Sequence, residues 1–271
     1  MSIVWFNGSF ANGAIALDPR DRGFLLGDGV FETLLVRDHK AILLTAHLNR
    51  LAKAATEVGI IFDATLVRGG IAAVMAKSRT AAEVLRITLS RGATARGLAS
   101  PCVSPSLLIT LDDFTAGSQP ETYRLKVSAV RRNEHAPSSR MKTTSYIDGI
   151  VAAREVAAEA DDALMLNTAG NVASTTVANI FMLRGEELIT PGLDQGILPG
   201  TIRRVLLDAA ASISLFPVER VVSLEELYHA DGVFICNSLR LVKPVVKVND
   251  VTLATNSMAD LMKGLNDEIF C

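Results

Sequence analysis

The chain has 271 residues, 49% of them hydrophobic and 21% charged, which is enough apolar material for two domains of about 100–150 residues each and excludes an intrinsically disordered chain. A formal net charge of −2 without any run of lysine or arginine gives no electrostatic footprint for nucleic acid, so the expected partner is a small molecule and not a polyanion.

In chain order, Ile3 to Phe6 followed by Asn7-Gly8 predicts a strand and a tight hairpin turn. The N-terminal segment Met1 to Gly8 has neither a basic n-region nor an apolar h-region, and charged residues interrupt every later apolar stretch, so secretion and membrane insertion are not expected. Strands are predicted at Val30–Val36 and Ala41–Leu44 around Arg37 to Lys40. Thr45 is the expected cap of a helix that carries Leu48, Leu51 and Ala55 on one face and also presents Arg50. A second amphipathic helix is expected over Ala64–Lys77, with strands at Val84–Ser90 and Ser106–Leu111. The polar segment from Asp112 to Glu121 suggests a linker, placed at 114–121, between an N-terminal domain (1–113) and a C-terminal domain (122–271). Beyond it come a strand at Tyr123–Val130, an alanine-rich helix at Ile147–Ala160, and strands at Ala163–Asn167, Val177–Leu183 and Glu187–Ile189. A helix at Thr201–Ala211, strands at Gly232–Cys236 and Val242–Val248, and a helix at Asn256–Phe270 complete the reading.

Cys102, Cys236 and Cys271 are odd in number and contain no C-x-x-C pair, which argues against a disulfide framework or zinc site and for a reducing, cytoplasmic setting. His39, His47, His135 and His229 have no metal-ligand spacing, and no metal is expected. Asp28 reads as a turn former. The chemistry-bearing signals are a lysine, Lys142 in Arg140-Met-Lys-Thr-Thr-Ser-Tyr146, and two segments suited to an anion. In Leu198-Pro-Gly-Thr-Ile-Arg203, Gly200 opens a helix whose first N–H groups, from Thr201 and Ile202, point outward. The second segment is Ile235-Cys-Asn-Ser238. A primary amine and a phosphate cup suit a cofactor that carries both an aldehyde and a phosphate, namely pyridoxal phosphate.

These residues lie within a longer series: Asp21-Arg-Gly-Phe-Leu-Leu-Gly-Asp-Gly-Val-Phe-Glu-Thr33, His47-Leu-Asn-Arg50, Arg91-Gly-Ala-Thr-Ala-Arg96, Ala178-Asn-Ile-Phe181, Thr190-Pro-Gly-Leu-Asp-Gln195 and Phe234-Ile-Cys-Asn-Ser-Leu239. In this order they resemble the class IV, fold type IV, pyridoxal-phosphate enzymes, which comprise branched-chain and D-amino-acid aminotransferases and aminodeoxychorismate lyase. The resemblance implies an α+β or α/β two-domain enzyme, like D-amino-acid aminotransferase, with a smaller N-terminal α/β domain and a larger C-terminal domain around a β-barrel-like core. It also implies a homodimer. By the same resemblance Lys142 bonds the cofactor aldehyde and later carries a proton, because a lysine amine is a nucleophile whose pKa its surroundings can lower. Tyr146 faces the cofactor ring. Arg50 pairs with the phosphate, together with Gly200, Thr201, Ile202, Leu198 and Ser238, while Ser174 and Thr175 line the ring. Phe31, Arg96, Asn237, Leu239 and Arg240 are implied for the substrate, Arg96 through its carboxylate.

One position departs from the family pattern. Where relatives carry a glutamate that holds the pyridine nitrogen protonated, this chain has Ser174, and a hydroxyl can only share a hydrogen bond with a largely neutral nitrogen. A weaker electron sink handicaps amino transfer more than elimination, in which the leaving group takes up the electrons. With Phe234-Ile-Cys-Asn-Ser-Leu239 and Lys243-Pro-Val245, this favours a lyase that makes 4-aminobenzoate and pyruvate from 4-amino-4-deoxychorismate. An aminotransferase acting on D-amino or branched-chain amino acids is the alternative, and a cofactor-binding protein with little catalytic activity is a third reading.

Overall fold

The computed structural model describes residues 2–115, 119–255 and 258–270, without the side chains of 258–260. The chain divides into two compact units. One comprises Met1–Ser118 with Met141–Ser145, the other Gln119–Arg140 with Tyr146–Cys271. The boundary between 118 and 119 lies within the expected linker, and the short Lys142 segment groups with the first unit.

In the first unit, β1 (Ile3–Phe6), β2 (Ser9–Ala11), β3 (Gly29–Arg37), β4 (Lys40–Ala41), β5 (Ala82–Ser90) and β6 (Ser106–Asp113) form a sheet in the order β2-β1-β6-β5-β3-β4. Every pairing in it is antiparallel. The Asn7-Gly8 turn closes the first hairpin, with Phe6 opposite Ser9. Between β2 and β3 lies a short helix, α1 (Arg22–Leu26), which the sequence did not announce; the Asp21 carboxylate caps it by accepting from the N–H groups of Gly23 and Phe24. Two longer helices, α2 (Leu44–Glu57) and α3 (Ala64–Met75), bury Leu48, Leu51, Ala55, Val67, Ile71 and Val74 against Leu34, Leu85, Ile87, Leu89, Leu107, Ile109 and Leu111. The alternation of buried and half-buried residues along β5 and β6 is the period-2 pattern of a sheet with one face on a core.

Two local expectations fail here. The predicted strand at Ala41–Leu44 shrinks to Lys40–Ala41, because Leu43 takes a left-handed backbone and serves as the N-cap of α2. Thr45 lies inside the first turn and does not cap the helix, which has no side-chain cap at all.

The second unit is built on β7 (Tyr123–Val127), β8 (Asp162–Leu166), β9 (Val172–Thr175), β10 (Asn179–Arg184), β11 (Glu187–Pro191), β12 (Phe216–Arg220), β13 (Gly232–Asn237), β14 (Leu241–Val248) and β15 (Val251–Thr252). The sheet runs β12-β11-β10-β13-β14-β7-β8-β9, with β15 on β14. Its pairings are mixed, with β11/β12, β14/β7 and β7/β8 parallel. The sheet curls into a half-barrel, bringing the terminal strand β9 back against β10. One face packs Tyr123, Leu125, Leu164, Ile180, Met182, Val233, Ile235 and Val245 together. On the other face Phe181 stacks on its cross-strand partner Phe234, ring centroids 5.1 Å apart. Around the sheet lie α4 (Pro137–Arg140), α5 (Ile147–Val156), α6 (Thr201–Ala209), α7 (Leu224–Tyr228) and α8 (Met258–Phe270). The predicted α5 ends four residues early, at Val156, and the strand expected to reach Val130 stops at Val127. Of the helix predicted at the C-terminus, Asn256 and Ser257 lie outside the described residues.

Gly92 tests how tightly the Arg91–Arg96 loop is seated. Its φ is +75°, and a Cβ there would run into the Ser104 carbonyl oxygen. Gly92→Ala combines left-handed strain with a backbone collision, so a loss of roughly 1–3 kcal/mol is expected, read as a lowered denaturation midpoint; an unchanged midpoint would refute the tight seating.

Candidate active site

Lys142 is held by its backbone. The Phe31 N–H donates to the Lys142 carbonyl at 2.9 Å, Val30 and Thr143 form an antiparallel bridge, and the Thr144 N–H and hydroxyl donate to Gly29 O and Gly27 O at 2.9 and 2.8 Å. Three residues thus extend the edge of β3, and the lysine side chain projects from that extension. Its Nζ lies 4.3 Å from the centroid of the Phe31 ring, and the Arg86 guanidinium lies 3.9 Å from the same centroid. Phe31, implied as a substrate contact, is therefore a buried ring shared by two cations, an arrangement that favours positive charge at its face. Arg86 has no counterpart among the residues singled out from sequence, although its place opposite Thr33 on β5 follows from strand register.

The opposite face of β3 carries Glu32. This carboxylate is 1% exposed and accepts from Arg50 Nε and Nη2, both at 2.7 Å, and from His47 Nδ1 at 2.6 Å. Both donors stand on α2, one turn apart. Burial alone would push the Glu32 carboxyl up, but the hydrogen bonds from Arg50 and His47 overcome that and hold it below the usual range. Burial also holds the His47 imidazole below its ordinary value against the pull of Glu32, with the charges of Arg50 and Lys142 acting the same way as burial. His47 is therefore a neutral imidazole donating from Nδ1. Arg50, implied as a phosphate ligand, has its guanidinium fixed edge-on by a two-pronged bond to Glu32. The motifs contain Glu32 and His47, but spacing alone gave neither a task.

Asp28, read from sequence as a turn former, is also an ion-pair centre: its carboxylate bonds Arg22 Nε and Arg91 Nε, each at 2.7 Å. Arg22 in turn donates to the carbonyls of Gly97 and Leu98, and Arg91 to those of Val58 and Gly59. The side chain of Arg96 on this loop is exposed.

In the second unit α6 begins at Gly200, with no side chain capping it. A Cβ on Gly200 would strike Asn179 Oδ1, and Asn179 Nδ2 donates to Leu198 O at 3.0 Å, so the turn entering the helix is set by an asparagine in the Ala178–Phe181 motif. The Thr201 and Ser238 hydroxyls lie 3.3 Å apart, while Ile202 is buried. Backbone N–H groups at a helix start and two convergent hydroxyls form a donor set suited to a phosphate. Ser174 and Thr175 are buried on β9; the Ser174 hydroxyl donates to Thr175 O at 2.9 Å, and Thr175 Oγ1 accepts from Ala178 N at 3.0 Å. Tyr146 starts α5. In the same unit, desolvation pushes the half-buried Arg132 guanidinium below its ordinary value, and its Nε has no hydrogen-bond partner among the described residues. An orphaned guanidinium N–H of this kind fits an additional acceptor, such as a phenolate or carboxylate. Asn237 Oδ1 accepts from the N–H groups of Leu239 and Arg240, and Arg240 pairs with Asp162. The side chains of Asn237 and Arg240, implied for the substrate, are thus bonded within their own unit.

The His47–Glu32 arrangement fixes a sign. Both groups titrate below their ordinary values, so each contributes stability that is complete above its unfolded pKa and is lost as the pH falls through its folded pKa. The wild-type denaturation midpoint is expected to decline from about pH 6.5 downward as unfolded imidazole takes up protons, and again from about pH 4.3 as carboxylates do. His47→Gln should remove the first decline and keep the second; a midpoint that rises on acidification across the first range would contradict a buried neutral imidazole.

Comparison with known proteins places the chain. Residues 29–248 match the family described as amino-transferase class IV. Aminodeoxychorismate lyase of Bacillus subtilis is 29% identical over 264 residues, covering 94% of this chain and 89% of the relative. A putative branched-chain-amino-acid aminotransferase of Methanocaldococcus jannaschii is 26% identical over 98% of this chain and 94% of its own length. A crystal structure of a putative 4-amino-4-deoxychorismate lyase from Legionella pneumophila superposes with a TM-score of 0.88 at 28% identity, covering 95% of this chain and 96% of that one. This chain belongs to the class IV aminotransferase family and is a pyridoxal-phosphate-dependent enzyme of fold type IV.

Proposed function

We propose that this enzyme is a lyase that converts 4-amino-4-deoxychorismate to 4-aminobenzoate and pyruvate. The observation that carries the reading is Ser174. Its buried hydroxyl directs its proton at the Thr175 carbonyl, so the position offers no acid to a ring nitrogen. Similarity to lyases from Bacillus subtilis and Legionella pneumophila supports the same choice.

Bound pyridoxal phosphate supplies an aldehyde for the substrate amine and a conjugated ring that withdraws electrons. Lys142 would be the residue that holds the cofactor at its aldehyde, and its amine would take the proton from the amine-bearing carbon of the substrate. The enolpyruvyl C–O bond breaks as the ring becomes aromatic, and the departing group is protonated to pyruvate. Aromatisation makes the step effectively irreversible and lessens the demand on the electron sink. Thr201, Ser238 and the first N–H groups of α6 would hold the phosphate; by the family pattern Arg50, which Glu32 orients, would pair with it. Tyr146 sets the ring from its phenolic side. Phe31 packs along the substrate, and Arg96 supplies a positive charge for its carboxylate. A homodimer in the cytoplasm is the setting this reading entails.

An aminotransferase acting on D-amino or branched-chain amino acids is the second reading, favoured by similarity to the Methanocaldococcus relative. Pure protein supplied with pyridoxal phosphate and 4-amino-4-deoxychorismate should release pyruvate without an added keto acid. Keto-acid-dependent amino transfer with no pyruvate release would replace the lyase by the aminotransferase. Lys142→Ala should lose roughly 10²–10⁴-fold in turnover together with the visible absorbance of the covalently held cofactor. Ser174→Glu should raise amino-transfer half-reactions relative to elimination; an unaltered ratio would show that residue 174 does not act on the ring nitrogen.

A further inference from the structure

Asp162, the first residue of β8, is a buried acid outside the proposed site. It is buried, its side chain only 2% exposed, and both oxygens are engaged. Oδ1 accepts from the Thr176 hydroxyl at 2.5 Å and from the Ala163 N–H at 2.8 Å, and Oδ2 accepts from Arg240 Nη1 at 2.7 Å. Thr176 lies two residues after Ser174, in the turn from β9 to β10. Arg240 lies two residues after Ser238, in the turn from β13 to β14, with its guanidinium also 4.8 Å from the centroid of the buried Tyr123 ring. A second link joins the same turns: Asn237 Nδ2 donates to Val177 O at 3.2 Å, while Asn237 Oδ1 collects the N–H groups of Leu239 and Arg240.

We propose that Asp162 is a positioning residue that locks the turn following Ser174 to the turn bearing Ser238 through Thr176 and Arg240, and so sets the enzyme's grip on the cofactor phosphate. The inference rests on the phosphate role given to Thr201 and Ser238 above. Each turn is closed by its own bonds, Ala178 N to Thr175 Oγ1 in one and the Asn237–Leu241 strand pair in the other, and Asp162 ties one turn to the other. A buried carboxylate bonded to a cation on one side and a hydroxyl on the other is costly to break from either side, because the remaining charge would be left without a partner. Arg240 therefore holds its own turn in register for Ser238 and is not itself a ligand.

Titration of the apoprotein with pyridoxal phosphate, followed by absorbance, and with inorganic phosphate as competitor, tests this. Asp162→Asn and Arg240→Met should each raise the dissociation constant for pyridoxal phosphate about tenfold and weaken competition by phosphate, whereas Arg240→Lys, which keeps the charge, should restore most of the affinity. Glu159→Gln, in the exposed pair with Lys126, should change nothing. Circular dichroism and the denaturation midpoint identify variants that fail to fold; if Asp162→Asn is one of them, Arg240→Met, Arg240→Lys and Thr176→Val carry the test, with Thr176→Val expected to weaken binding. Folded Asp162→Asn or Arg240→Met protein with wild-type affinity for both probes would overturn the positioning role. Loss of affinity for pyridoxal phosphate with phosphate competition unaltered would overturn the phosphate route. Failure of the wild-type protein to take up pyridoxal phosphate would instead overturn the reading of the site itself.

Discussion

The extension of the β3 edge by residues 142–144 is the constraint on which the rest depends. A lysine on a loose loop would sweep a large volume, and a nucleophile gains little from a partner it rarely meets. Here backbone bonds to Phe31 and Gly29, with the Thr144 hydroxyl on Gly27 O, do the anchoring without drawing on the Lys142 side chain, and its peptide is as fixed as a strand. The cost falls on the strand: a Cβ on Gly29 would lie 3.0 Å from the Thr144 hydroxyl and the Leu89 carbonyl, so position 29 has no room for a side chain. The two faces of β3 then take separate tasks, with Phe31 serving the lysine and Glu32 serving α2.

Glu32 shows how burial and charge are balanced near such a site. Taking a carboxylate out of water is unfavourable by several kcal/mol, and it is offset only when the remaining lone pairs are filled by well-placed donors. Arg50 and His47 fill them. The neutral imidazole matters because a second full positive charge next to Arg50, and within reach of Lys142, would work against both. The same logic recurs at Asp28, between Arg22 and Arg91, where one carboxylate organises two guanidinium groups that grip loop carbonyls. In both places the acid positions the bases.

Much of this was legible in the sequence wherever a signal was local. The alternation of β5 and β6, the apolar stripe of α2, the Asn7-Gly8 turn and the ordered motifs around Lys142 each carry their own information within a few residues. The failures share a physical reason. Strand β9 is buried on both faces, so Val172-Ala-Ser-Thr175 shows no alternation, and β12 is a largely exposed edge strand paired in parallel to β11. α1 is five residues long and owes its existence to the Asp21 cap, and α2 starts at a left-handed Leu43, which no propensity scale favours. The resemblance supplied roles for Arg50, Asn237 and Arg240 but could not show that Glu32 and Asp162 already bond two of them, because those pairings join residues far apart in the chain. Arg132, with its orphaned Nε, was hidden for the same reason.

The parallel pairing of β14 with β7 has a consequence for how the protein is made. Tyr123 lies beside Val245, so during synthesis β7 emerges long before the strand that will cover one of its edges. That edge presents unpaired backbone donors and acceptors beside apolar side chains throughout the interval, a template for pairing with another nascent chain. Completion of the half-barrel is therefore a non-local event that waits on β14.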